Sequence, residues 1–390
     1  MSEYPENNDY AESTGNRPVF MVGAFPPPVH GMAAVNSAVR RQLVEAGADI
    51  TVINVAAKNL ERSLVTRFGR LPQVARGLGR MLFSGDLRGA SLYMSISGGL
   101  GQVYEIFFLL LARLRGMQVF LHHHCFAYLD QQSWITHVLT TTAGQSSVHI
   151  TLSTGMAARL HSQYYDAQRV IPISNTVFVA DNRVPSGTAR SSLKTIGFIS
   201  NLSAEKGIFD FLDLVAAYEA DGLSMRAKIA GPCQDAEIER KVMQRLSELN
   251  TVEYLGPQYG DDKESFFEDI DVLIFPTRYV NEAEPLIIHE AMQCAIPVIA
   301  YGRGCIPEIV GSECGLVIDP AEPFTPSALV QIKQWLDFPD VYKSASHLSA
   351  EHFTASLASN AHRWHKLLKE ILGDGAPDLT GFQTKDVESK

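Results

Sequence analysis

Short β-branched runs alternate along this chain with stretches whose apolar residues recur every three or four positions. In the first half the runs fall at residues 19–25, 50–55, 91–96, 118–124, 148–152 and 170–173. Helical spacing fills the intervals, as at 33–46 and 103–115. Such alternation predicts a parallel sheet with helices on both faces. The pattern lapses at 179–192, where VADNRVPSGTARSS carries Pro, Gly, Ser and charge without a period and reads as a linker. It then restarts, with strands predicted at 195–199, 227–230, 252–255, 272–275, 297–300 and 316–318. A closing helix over 355–372 aligns Leu357, Ala361, Trp364, Leu368 and Ile371 on one face.

The expected architecture is α/β, with two Rossmann-like domains facing each other across a cleft. The first spans 18–178 and the second 193–350, with the linker at 179–192 and a closing helix within 351–373 that is free to return to the first domain. The polar ends, 1–17 and 374–390, are expected to be disordered. Ligands bind beyond the carboxyl ends of strands in such sheets, so the cleft between the domains is the expected site.

Composition narrows the class. With 46 % hydrophobic and 19 % charged residues the chain is a globular protein, and its 390 residues suit two domains. A net charge of -10 argues against a nucleic-acid partner. Cys125, Cys233, Cys294, Cys305 and Cys314 form no CxxC pair, which fits reduced thiols and a cytoplasmic location. The acidic start MSEYPENNDYAESTGNRP is not a signal peptide, and the apolar run 106–112 is too short to span a bilayer.

The most informative stretch is 271–320, DVLIFPTRYVNEAEPLIIHEAMQCAIPVIAYGRGCIPEIVGSECGLVIDP. A buried strand ends at Pro276, a loop carries Glu282, and a helix opens near Pro285. Proline suits the first helical turn, where its missing N–H would go unpaired anyway. The N–H groups of Leu286 and Ile287 then point out of a helix N-terminus, where an anion is stabilised. This stretch resembles the retaining GT-B glycosyltransferases of family four, whose mark is Glu, seven residues, Glu before an "EAM" segment. Here the pair is Glu282 and Glu290, followed by Ala291 and Met292. The resemblance implies that Glu282 contacts donor-sugar hydroxyls and Glu290 the nucleotide ribose. The backbone of Glu284, Pro285, Leu286 and Ile287 would line the sugar and diphosphate.

Three further segments agree with the same family. In FPPPVHGMAAVN, Gly31 and Met32 match its loop approaching the diphosphate, where a small residue lets backbone N–H groups reach phosphate oxygens. In QVFLHHHCF, alternation sets His122 and His124 on one face and His123 on the other. His124 matches the family's cleft histidine; a zinc site is the rival reading, with no Cys or carboxylate at ligand spacing to support it. In IGFISNLSAEKGIFDFL, Lys206 beside Gly207 matches the family's diphosphate ligand. The arginine that accompanies this lysine in the family is Asn201 here, which cannot neutralise phosphate. Either Arg278 or Arg303 compensates, or turnover is slower. The Asp269–Asp271 pair, a metal-binding spacing in other glycosyltransferases, reads as a structural turn. SGGLGQVYEI follows a third strand and lacks the third glycine of a dinucleotide fingerprint, so it reads as a loop on the acceptor side.

One segment runs against the acidic total. Lys58, Arg62, Arg67, Arg70, Arg76, Arg80 and Arg88 stand against only Glu61 and Asp86, a local excess of five positive charges. Leu60, Leu64, Phe68, Leu71, Ala75, Leu78 and Leu82 recur there at helical spacing, with Pro72 kinking or restarting the helix. The segment reads either as an amphipathic helix with a solvated outer face or as a surface drawn to anionic lipid or an acceptor diphosphate.

The function expected from the resemblance is metal-independent sugar transfer, with retention, from a nucleoside diphosphate to a glycan or lipid-linked acceptor. No cofactor is expected, the sugar nucleotide being a co-substrate. Lys206, Glu282 and His124 would be the catalytic groups, at a cytoplasmic site or on the inner membrane face. A sugar-nucleotide 2-epimerase of the same architecture, or a non-catalytic partner subunit, are the alternatives.

Overall fold

The computed structural model describes residues 17–27, 31–56, 69–179 and 188–373. The expected disorder at 1–16 and 374–390, most of the linker, and Lys58, Glu61, Arg62 and Arg67 lie outside the described residues.

Two six-stranded parallel sheets form the framework. The first contains β1 (Val19–Gly23), β2 (Ile50–Asn54), β3 (Ser91–Ile96), β4 (Gln118–His123), β5 (Val148–Thr151) and β6 (Arg169–Pro172), in the order β2-β1-β3-β4-β5-β6. The second contains β7 (Thr195–Ile199), β8 (Arg226–Ala230), β9 (Val252–Tyr254), β10 (Val272–Phe275), β11 (Val298–Tyr301) and β12 (Gly315–Ile318), in the order β12-β11-β10-β7-β8-β9. Each strand lies where the β-branched runs put it, shifted by no more than two residues at an end. Period-two alternation explains the packing. Phe20 and Val22 of β1 enter one core, while Val19 and Met21 enter the core on the opposite face. The strand order reverses between β1 and β3, and again between β7 and β10. Crevices therefore open at the carboxyl ends of those strands, as doubly wound sheets require.

The chain closes with one helix, Pro339–Leu372, which joins both domains. Tyr342 and Ala345 pack in the second domain's core. Further along, Trp364, Leu367, Leu368 and Ile371 pack in the first domain's core with Val19, Met21 and Tyr93. Ser91 Oγ donates to the Ile371 carbonyl at 2.6 Å, and the Trp364 indole donates to Gln42 Oε1. The helix begins sixteen residues before the amphipathic period at 355. Its first part buries serines: Ser346 Oγ donates to Ala295 O at 2.6 Å and Ser349 Oγ to Ala345 O at 2.8 Å. Polar residues facing inward hide the apolar period.

The helix Leu71–Phe83 corrects the reading of the basic segment. Its sheet-facing residues are Val74, Gly77 and Met81, whereas Leu71, Ala75 and Leu82 are exposed. Of the expected apolar stripe within this helix, Leu78 packs against the core while Leu71, Ala75 and Leu82 face outward. Gly77 makes this rotation feasible, because a Cβ there would stand 2.4 Å from Ile53.

Candidate functional site

The site grows from three loops at the carboxyl ends of β7, β10 and β11. After β7 the chain turns through Asn201 to Lys206 and enters the helix Ile208–Ala220. Gly207 makes the turn, at φ +85, and a Cβ there would stand 2.2 Å from the Pro276 carbonyl. Only glycine fits so close an approach in this conformation. Lys206 is thereby held against the loop after β10. Its ammonium forms an ion pair with Glu282 and lies 4.8 Å from the centre of the Tyr279 ring. Thr277 Oγ1 donates to the same carboxylate oxygen at 3.3 Å. Gly304, at φ +59, supports Glu282 from behind, since a Cβ there would lie 2.6 Å from the Glu282 carbonyl.

The helix Leu286–Gln293 follows, with Pro285 as its extended N-cap. Leu286 and Ile287 are partly exposed in its first turn. Glu290 lies one turn further on, and the Lys263 ammonium bridges its two oxygens at 2.7 and 2.6 Å. The two glutamates of the motif are thus each neutralised by a lysine, Lys206 for one and Lys263 for the other.

Glu284 makes a different set of contacts. Its side chain is buried and turned towards the first domain. It accepts from Ser174 Oγ at 2.7 Å and Asn175 N–H at 2.6 Å, with His289 Nε2 at 3.2 Å. Asn175 Nδ2 returns a bond to the Glu284 carbonyl at 3.0 Å. The carboxylate is a joint between the domains.

More contacts cross the same seam. Glu308 caps the helix Thr154–Gln163 of the first domain, accepting from Ser153 Oγ, Thr154 Oγ1 (2.8 Å) and Gly155 N–H (3.1 Å). Arg303 pairs with Asp130 and also donates to the carbonyls of Tyr279 (3.1 Å) and Val280. Cys125 Sγ lies 3.3 Å from Asn281 Oδ1, which sets the end of β4 beside the loop of Glu282. A cavity of about 150 Å³ lies behind this seam against the C-terminal helix, bounded by Ser174, Glu284, His289, Glu308 and His352. None of these cross-domain partners was visible in the sequence, because no periodicity or motif pairs residues 109 to 173 positions apart.

In the first domain, His122 and His124 share one side of β4, with ring centroids 4.0 Å apart, as alternation requires. His122 Nδ1 meets the Tyr93 hydroxyl at 2.5 Å. His123 points the other way, into a buried chain: Tyr128 hydroxyl at 2.7 Å, His149 Nδ1 at 2.9 Å, then Ser147 Oγ at 3.0 Å from His149 Nε2. Burial drives the pKa of His122 and His123 well below the ordinary range and lowers His149 to about 4, so these rings stay neutral. His124, at the carboxyl end of β4, is partly exposed. Gly31 and Met32 open the helix Gly31–Glu45, with nothing within 4 Å of a Cβ built on Gly31.

Asn201 is half-buried in the loop after β7. Both arginines considered as its substitutes are committed elsewhere. Arg278 pairs with Asp210 at 3.2 Å and stacks 4.4 Å from the Tyr301 ring, while Arg303 spans the seam. The acidic pair is structural: Asp271 Oδ2 accepts from the N–H groups of Lys194 (2.8 Å) and Thr195 (2.9 Å), and Asp269 pairs with Lys228 at 2.7 Å. Among the described residues, no three His, Cys, Asp or Glu side chains converge as metal ligands.

Residues 193–332 match the profile of the family described as Glycosyl transferases group 1. The matched segment lies within the second domain. No curated sequence matches the chain. Among solved structures, sucrose-phosphate synthase from Thermosynechococcus elongatus superposes with a TM-score of 0.69 at 16% identity, over 91% of this chain and 99% of that one. Anabaena HepE in complex with UDP and glucose gives 0.62 at 15% identity, over 90% and 99%. A glycosyltransferase from Rickettsia africae ESF-5 gives 0.63 at 12% identity, over 92% and 99%. The two-domain fold is GT-B.

Proposed function

We propose that this protein moves a hexose-type sugar from a nucleoside diphosphate to an acceptor, with retention at the anomeric carbon and without a metal ion. The observation that carries the reading is the Lys206–Glu282 ion pair set before the N-terminus of helix Leu286–Gln293, with Glu290 one turn on. Departure of a nucleoside diphosphate develops negative charge on phosphate and positive charge at the anomeric carbon. Lys206 and the N–H groups of Leu286 and Ile287 answer the first as fixed electrostatics. When diphosphate draws Lys206 away, Glu282 is released to accept hydrogen bonds from sugar hydroxyls. Glu290, exchanging Lys263 for ribose, would hold the nucleoside. Gly31 and Met32 would close on the diphosphate, and His124 would orient the sugar so that the acceptor attacks from the face the leaving group departs.

The acceptor in this reading is a lipid-linked sugar or a growing polysaccharide, met by a cytoplasmic enzyme on the inner membrane face. UDP-sugars are the first donors to try, since HepE was crystallised with UDP and glucose. The test is a thermal-shift and product assay with a panel of sugar nucleotides, in EDTA, with and without acceptors. Acceptor-dependent release of nucleoside diphosphate supports transfer. Conversion of the sugar without nucleotide release would identify an epimerase, and binding without either reaction a non-catalytic subunit.

A further inference from the structure

The helix Gly101–Leu114 is apolar on both faces, burying Phe108, Leu109 and Ala112 while its outer side also carries large apolar residues. Its polar residues near the start, Gln102 and Glu105, face the core: Gln102 accepts from Thr136 Oγ1 at 2.8 Å, and Glu105 accepts from Ser97 N–H (2.9 Å) and Oγ (2.6 Å). Burial raises the Glu105 carboxyl to about 7. The outer side instead carries Phe107, Leu110 and Leu114, the last 83% exposed. A surface helix in water ordinarily turns a polar face outward.

Its neighbours extend the apolar face. Helices Leu71–Phe83 and Trp134–Ala143 pack on either side of Gly101–Leu114. They add Leu71, Leu82 and Phe83 (86% exposed) on one flank, and Trp134 (75%) and Val138 on the other. Exposed apolar residues on three adjacent helices exceed the scattered ones that any soluble surface shows.

Charge says what covers this face. Residues 69–116 hold Arg70, Arg76, Arg80, Arg88, Arg113 and Arg115, against Asp86 and the buried Glu105, in a chain of net charge -10. Arg76, Arg80, Arg88 and Arg113 are exposed around the apolar row. Arg115 donates to the carbonyls of Leu82 and Ser84, both at 2.8 Å, beside Phe83. Apolar side chains ringed by arginine match the layered chemistry of an anionic bilayer, acyl chains beneath phosphate.

We infer that this three-helix face of the first domain docks on an anionic lipid bilayer, with Phe83, Phe107, Leu110, Leu114 and Trp134 entering the interface. The inference deepens the lipid-linked acceptor reading and moves the membrane contact from the basic segment alone to the Gly101–Leu114 row. The row also points towards chemistry. Its upper end, Leu100, lies two residues from Gly98, where a Cβ would stand 3.0 Å from Asn281 Oδ1 beside Glu282. Docking would therefore bring the cleft rim down to the headgroups.

Trp134 is a built-in reporter, because the other two tryptophans, Trp335 (2% exposed) and Trp364 (0%), are buried. Full-length protein is titrated with vesicles of phosphatidylglycerol and phosphatidylcholine, and with phosphatidylcholine alone. Tryptophan emission should shift to the blue, and protein should co-sediment, only with the anionic vesicles. Phe107→Ser combined with Leu114→Ser should weaken binding about tenfold at any salt concentration. Arg76→Gln with Arg80→Gln should weaken it mainly at low salt. Both residue pairs are exposed, and an unchanged circular-dichroism melting curve confirms the fold. Wild type that neither shifts nor sediments with anionic vesicles overturns the inference. So does a self-association that buries Trp134 in the absence of lipid. Nucleoside diphosphate release to a soluble acceptor is assayed alongside. Transfer without vesicle binding refutes the docking face and leaves the proposed activity standing, while vesicle binding without transfer does the opposite.

Discussion

Four glutamates between 282 and 308 fall into two pairs that differ only in what they touch. Glu282 and Glu290 each meet a lysine of their own domain, Lys206 and Lys263. Glu284 and Glu308 instead accept from hydroxyls and N–H groups of the first domain. A carboxylate paired with a single side-chain ammonium can trade that partner for a ligand. One fixed by backbone donors across a seam cannot leave without opening the joint. The two-residue step from 282 to 284 thus separates a carboxylate paired with a lysine, for which ligand binding is proposed, from one fixed across the seam. Charge and residue type are identical; the partners set the role.

The comparison can be broken most severely at Glu282. Glu282→Ala should leave nucleotide binding nearly intact and lower kcat by on the order of 10²-fold, because its contacts tighten only as the sugar flattens. Single-turnover kinetics with saturating donor would show it; wild-type turnover would reassign Glu282 to packing. Glu284→Ala should act on stability, costing about 3 kcal/mol, since Ser174 Oγ and the Asn175 N–H both lose a buried acceptor. Denaturant unfolding measures this, and Glu284→Gln, which keeps an acceptor, should recover part of the loss. A Glu284→Ala protein as stable as wild type would mean that the seam is not held there.

Smaller effects sharpen the contrast. Asn201→Arg restores a positive charge near Lys206, and a charge-assisted contact to diphosphate is worth ~1.5 kcal/mol. Calorimetry with a nucleoside diphosphate should show tighter binding, whereas no gain would mean that residue 201 points away from the phosphates. Glu308 is exposed, so Glu308→Ala should cost only about 1 kcal/mol as a lost helix cap, with donor affinity unchanged. A large drop in donor affinity would move Glu308 into the binding group.

The sheets were legible because strand residues buried on both faces leave unbroken β-branched runs, and helices between them keep their period. The loop carrying Glu282 and the helix carrying Glu290 were legible because both lie on one short strand-loop-helix unit, whereas their partners Lys206 and Lys263 lie on other segments. The face of helix Leu71–Phe83 was not, because Gly77 replaces a bulky inward residue and lets exposed leucines take over the apparent period. Nor was the role of Glu284: its partners, Ser174 and Asn175, lie 110 and 109 residues away, and only the fold brings them together. The early start of the C-terminal helix escaped for a related reason, since Ser346 and Ser349 are polar residues satisfied inside a core.

The central claim is that Lys206 and Glu282 are partners held for a departing nucleoside diphosphate and its sugar. It is tested most directly by following nucleoside diphosphate release from a sugar nucleotide in EDTA, with acceptor present, for wild type and Lys206→Ala. The account predicts acceptor-dependent release by wild type, unaffected by chelation, and a loss on the order of 10²-fold in Lys206→Ala. Release that requires added manganese or magnesium, or that persists undiminished in Lys206→Ala, would contradict it.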